Sequence, residues 1–95
     1  MIQIAKPKFR LGQVVATPGA LEALKESGQT PFDFLSKHLT GDWGIVDAED
    51  KQANDDALIH GERLLSAYLT TQGVKIWVIT EADRSSSCLL LPEEY

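Results

Sequence analysis

Apolar residues recur along this chain at two spacings, and the spacing changes near residue 62. Upstream, short runs with helical spacing alternate with Thr-Pro and glycine punctuation. Residues 9–16, FRLGQVVA, are the exception, a short apolar run that predicts a first strand. It leads into TPGALEALKESG, which predicts a helix over 18–27. The Thr17 hydroxyl can accept an N–H of the first turn that has no intrahelical partner. Pro18 suits the first helical position, and Gly28 suits the left-handed residue that closes a helix. Leu21 and Leu24 share a face, with Ala20 beside them. Thr30-Pro31 repeats the start signal, Asp33 adds charge to the first turn, and Gly41 ends the second helix. Phe32, Leu35 and Leu39 form its apolar stripe, with Phe34 and His38 along the edge. A third helix is predicted over 48–60. Asp47 is its cap, Glu49 and Asp50 lie in its first turn, and His60 and Gly61 mark its end. Ala48, Ala53 and Ala57 point in different directions, so this helix is expected to be exposed along much of its length and docked by its C-terminal end.

Downstream the period is two. GERLLSAYLT and VKIWVITEA are β-rich and are joined by TTQG, a hairpin signal. A four-residue loop over 70–73 pairs Leu69 with Val74, Ala67 with Ile76 and Leu65 with Val78. That uniformly apolar face is the expected core face. The other face would pair Tyr68 with Lys75, Ser66 with Trp77 and Leu64 with Ile79. A two-residue loop changes the partners but keeps the faces. A last strand is predicted over 87–91, stopped by Pro92. The order β-α-α-α-β-β-β predicts an α+β fold, an antiparallel C-terminal meander with helices packed on one face. Residues 1–95 are expected to form a single domain, with 1–8 as a flexible arm. The pattern does not assign the first strand to an edge of the sheet.

Composition narrows the function classes. Ninety-five residues hold one domain, and 43% hydrophobic against 24% charged residues is the balance of a folded chain. The formal charge is −5, and the only basic cluster is Lys6, Lys8 and Arg10. Nucleic-acid affinity comes from bases set against phosphates, so nucleic acid is not an expected partner. A protein partner or a homodimer is. The lone Cys88 excludes an intramolecular disulfide and any multi-cysteine zinc site. No apolar run reaches the ~18 residues of a membrane span and the N-terminus lacks a signal-peptide core, so a cytoplasmic, non-membrane protein is expected.

The densest chemical feature is GDWGIVDAEDKQANDD, with Asp42, Asp47, Glu49, Asp50, Asp55 and Asp56. It fails the calcium-loop pattern, since the sixth position counted from Asp42 or Asp47 is Asp47 or Gln52 where glycine is needed. No metal or cofactor is expected, and no catalytic residue is assigned. His38 and His60 form no HxxxH pair. His60, Glu62 and Arg63, with Glu81 or Asp83, could serve a small hydrolase or RNase-type toxin only if the fold gathers them in one cleft. No GxSxG elbow or phosphate loop is present. An acidic DNA-mimic inhibitor of host defence would need a row of carboxylates on one face. The leading expectation is a non-enzymatic interaction module. Its surface is drawn from the strand face of Tyr68, Trp77 and Ile79, ending at Glu81, with Asp83 and Arg84 in the next turn. Trp43 with Asp42 is a second candidate; Trp43 either plugs the junction between the second and third helices or waits for a partner.

The wording of LGQVVATPGALEALKESG, GDWG, LLSAY, KIWVITEADRSSS and LLLPEEY resembles a family of small proteins found on plasmids and other mobile genetic elements. The resemblance spans about residues 11–95. It implies a mobile-element setting, in which small acidic proteins act against host defences or in toxin–antitoxin pairs. It carries no catalytic residue with it. Some members bear the label of a type I restriction methylase subunit, but a methyltransferase needs a cofactor-binding βαβ core with a glycine-rich loop, and this element order has none.

Overall fold

In a computed structural model, which describes residues 6–95, the chain is an α+β fold of three helices and a four-stranded sheet. The elements run β1 (Gln13–Ala16), α1 (Pro18–Glu26), α2 (Pro31–Leu39), α3 (Ala48–His60), β2 (Leu64–Leu69), β3 (Lys75–Thr80) and β4 (Ser86–Leu90), closing with a 3₁₀ turn over Pro92–Glu94. The sheet order is β1-β4-β3-β2. The last three strands form the expected antiparallel meander, and β1 joins β4 in parallel at the far edge. No helix among the described residues is long and apolar enough to cross a membrane.

The helix ends follow the sequence grammar. Thr17 Oγ1 accepts from Ala20 N–H, the Thr30 N–H donates to the Asp33 carboxylate, and Asp47 Oδ1 accepts from Asp50 N–H. Gly61 closes α3 in the left-handed region. The buried stripes are rotated from the expected ones. In α1, Ala20, Ala23 and Leu24 are buried while Leu21 is exposed; in α2, Phe34, Leu35 and His38 are buried while Phe32 is exposed. The N-terminal strand is shorter than expected because Phe9 and Leu11 leave the strand path to pack into the two apolar clusters. Of the expected arm, residues 1–5 lie outside the described residues. Lys8 is tied down, its N–H donating to the Leu39 carbonyl at 2.8 Å.

The main correction concerns the hairpin. The turn is a three-residue loop, Thr71-Gln72-Gly73. Thr70 N–H donates to Val74 O, Gly73 N–H donates to Thr70 O, and Gly73 takes φ +82°. An odd loop length shifts the pairing by one residue against either even-length loop, to Ser66↔Val78, Ala67↔Trp77 and Tyr68↔Ile76. A one-residue shift turns every side chain of one strand to the opposite face. The β3 assignment stands, with Ile76 and Val78 inward. Leu64, Ser66 and Tyr68 now join them, while Leu65, Ala67 and Leu69 turn outward. The inner face, covered by α1 and α2, holds the main core of Ala20, Ala23, Leu24, Phe34, Leu35, Tyr68, Ile76, Val78 and Leu89. A second cluster of Trp43, Ala57 and Leu64, with Phe9, Val46 and Leu58, seats α3.

Candidate interaction surface

The inner face holds one chemically suggestive constellation, a chain of hydrogen bonds through His38. Ser66 Oγ lies 2.5 Å from Nδ1, Thr80 Oγ1 lies 2.9 Å from Nε2, Ser87 Oγ lies 2.7 Å from Thr80, and Leu11 O lies 2.8 Å from Ser87. Donor counting sets its direction. The Leu11 carbonyl can only accept, so Ser87 donates to it and must accept from Thr80. Thr80 has then spent its proton and accepts from Nε2–H. Nδ1 is left as the acceptor for the Ser66 hydroxyl. This requires neutral imidazole, and burial, helped by the Arg84 charge, pushes the His38 pKa down to about 4. All four side chains are sealed from solvent, and no described cavity reaches them. A histidine–serine pair with no access for a substrate ties elements together. This one joins α2, β2, β3, β4 and the segment before β1.

The aromatics assigned to a surface divide. Tyr68 is buried against Phe34, with ring centroids 5.3 Å apart, and its hydroxyl donates to the Asp42 carbonyl at 2.5 Å. It is a core residue, because the hairpin parity turned it inward. Trp43 is 4% exposed. It packs between Phe9 and His38 and donates from Nε1 to Asp55 at 3.1 Å, so it plugs the junction and offers no surface. Gly44 after it takes φ +77° and brings the chain so close to β2 that a Cβ there would overlap the Ala67 carbonyl. Asp42 is exposed, and its carboxylate accepts from Gly44 N–H. Arg84, itself at φ +60°, donates to the carbonyls of Glu62 at 2.6 Å and Ala57 at 3.1 Å, which caps the end of α3 and commits the partly exposed guanidinium to the fold.

The outer sheet face carries the rest. No helix covers it. Ala67, Trp77 and Leu90 form one cross-strand row, and Leu65, Ile79, Cys88 and Val15 form the next. The turn at Pro92–Glu94 brings Tyr95 edge-on against Trp77, with centroids 5.8 Å apart. Arg63 Nη1 donates to the Tyr95 hydroxyl at 2.7 Å and lies under its ring. Glu94 anchors this tail by accepting from Thr17 Oγ1, Gly19 N–H and Leu91 N–H; the Thr17 bond is the main reason its carboxyl is held below the usual range. Arg63, Leu65, Trp77, Ile79 and Tyr95 line a groove of about 250 Å³. Cys88 lies on the same face, its thiol pushed up by burial and by nearby carboxylates.

Of the residues considered for hydrolysis, Arg63 and Glu81 approach each other at 3.9 Å. His60 and Glu62 are exposed at the end of α3, and Asp83 sits in the β3–β4 turn accepting from Ser85 N–H. Only Arg63 among them lines the groove. Asp47, Asp55 and Asp56 in the acidic stretch are engaged in capping or side-chain bonds, and no three His, Cys, Asp or Glu among the described residues cluster as metal ligands would. Leu65 and Tyr95 are the groove residues that sequence reasoning missed. The odd loop placed Leu65 there, and the proline after β4, read only as a stop, begins the turn that returns Tyr95. No family model, curated protein or solved structure matches the chain.

Proposed function

We propose that this protein is a non-enzymatic interaction module that binds a protein partner through the outer face of its sheet. One observation supports the reading most directly: α1, α2 and α3 lie off that face, leaving Trp77 partly exposed in a groove that, among the described residues, Tyr95 closes on one side. Interface anchors are typically aromatic residues and arginine set in a pocket, with polar groups around the rim. Here Trp77 and Tyr95 form the walls, Leu65 and Ile79 the apolar floor, and Arg63 with Glu81 the rim. The net charge of −5 favours a partner with a basic surface. The mobile-element setting implied by the sequence resemblance is consistent with a small protein that works by occupying another.

The test compares Trp77→Ala with the wild type in affinity capture from the host, alongside a thermal melt of each. The expected result is a folded variant that retains less than a tenth of the captured partner. Equal capture by the variant would sink the proposal.

A further inference from the structure

The two edges of the sheet are treated differently, and the difference points to a second surface. β2 forms one edge, and the outward backbone groups along most of it are covered. Asn54 reaches from α3 and pairs side chain to backbone with Leu65, donating to its carbonyl at 2.7 Å and accepting its N–H at 3.0 Å. Two residues on, Ala67 donates to Trp43 O at 3.1 Å and accepts from Ile45 N–H at 2.7 Å. Two of the three outward positions of this strand, Leu65 and Ala67, are therefore closed by a carboxamide or a short parallel bridge, and only Leu69 at its end is left without such a partner among the described residues.

β1 forms the other edge and has no such cover among the described residues. The N–H groups of Gln13 and Thr17 point to Ser85 and Leu89, so by the two-residue period Val15 also points to β4, while Val14 and Ala16 present their N–H and C=O outward. No hydrogen bond joins these outward groups to another described residue. The strand lacks the usual edge protection. It carries no lysine, no proline and no bulge, and Val14 and Val15 are 44% and 42% exposed, one on each face.

We infer that β1 pairs with β1 of a second copy of this chain, antiparallel about a two-fold axis at Val15, to give one sheet that runs through both copies. Two features select a second copy over another partner. Each chain carries −5, so a self-contact must avoid charge, and the segment from Leu11 to Leu21 contains no charged side chain. The edge is also self-complementary. With Val15 on the axis, Val14 of one copy lies opposite Ala16 of the other, and these are the residues whose backbone groups point outward, so both bonds of each pair can form. Val15 then meets its own copy on the outer face, extending the apolar row of Leu65, Ile79 and Cys88 across the junction. This contact lies at the far edge of the sheet, two strands from Trp77, although the row it extends includes Leu65 and Ile79 of the groove.

Sedimentation velocity of the full chain over a concentration series tests it. The wild type is expected to show a monomer–dimer equilibrium. V15K, which sets two like charges opposite each other on the axis, should weaken dimerisation at least tenfold, whereas W77A should not change it. A second variant removes dependence on that one substitution: V15C in a C88S background should cross-link to a covalent dimer under mild oxidation, because directly opposed residues at a non-hydrogen-bonded position lie within disulfide reach. A wild type that sediments as a monomer at every concentration overturns the inference. So does a dimer that V15K leaves intact, or a V15C protein that stays monomeric under oxidation.

Discussion

The two faces of this sheet are built from the same hairpin, yet they handle polar groups in opposite ways. Inside, a histidine, two serines and a threonine are sealed under α1 and α2, and each of their side-chain polar atoms has a hydrogen-bond partner. Outside, Arg63 and Glu81 stay in water at the rim of an apolar groove, 3.9 Å apart and exchanging little. A buried polar chain is costly if one member fails, so it specifies a single arrangement of the elements it joins. An exposed pair constrains almost nothing and leaves its face free to meet another molecule. The inner polar residues thus serve the fold, and the outer ones are available for function. The contrast can be broken by removing polar groups from each side in turn.

The largest effect is expected from His38→Ala. It opens a cavity and strands the Ser66 hydroxyl without its acceptor and Thr80 without its donor. The cost should be about 3–5 kcal/mol, read as a fall in the urea midpoint. Acid should act on the same residue more gently. The folded pKa of His38 lies near 4 against an ordinary 6.5, so the unfolded chain takes up the proton first. Stability from this group is complete above about pH 6.5, falls as pH drops toward 4, and falls no further below that. The total loss is on the order of 3 kcal/mol, and the slope should vanish from that window in a His38→Gln background. Asn54→Ala comes next. It uncovers the Leu65 N–H and carbonyl at the β2 edge for about 2 kcal/mol, and should speed amide exchange at Leu65 more than at Val78. Smallest is Trp77→Ala on the outer face. The partly exposed ring and its Tyr95 contact should cost about 1 kcal/mol of stability while partner capture collapses. A Trp77→Ala loss as large as that of His38→Ala would erase the distinction between the faces.

Helix starts and stops were legible in the sequence because each rests on residues within four positions of one another. Thr17-Pro18, Thr30-Pro31, Asp47 and Gly61 all act as read. The order of elements and the antiparallel meander were legible for the same reason. Which residues of a helix or strand face inward was less so. In α2 the pattern favoured Phe32, but His38 is drawn in by Ser66 and Thr80, residues 28 and 42 positions away. A local apolar count has no term for a polar residue that finds all its partners. Trp43 showed its importance as a large ring between two glycines, and only the packing of Phe9 against it decided that it is a plug.

The sequence by itself determined where regular structure begins and ends, since capping, proline geometry and glycine conformation are short-range properties of the backbone. It determined the class of fold through the change of period from helical to alternating. The tertiary structure alone decided which face of β2 is the core, because that depends on the parity of a loop of one residue more or fewer, and a glycine with φ +82° settled it. It also decided that β1 lies parallel to β4, a pairing between residues more than 70 positions apart that no local pattern encodes, and forms an edge that no other described residue covers. The groove of Trp77 follows from both. Alternation on β3 turned that ring outward, and the fold packed α1, α2 and α3 away from that side of the sheet.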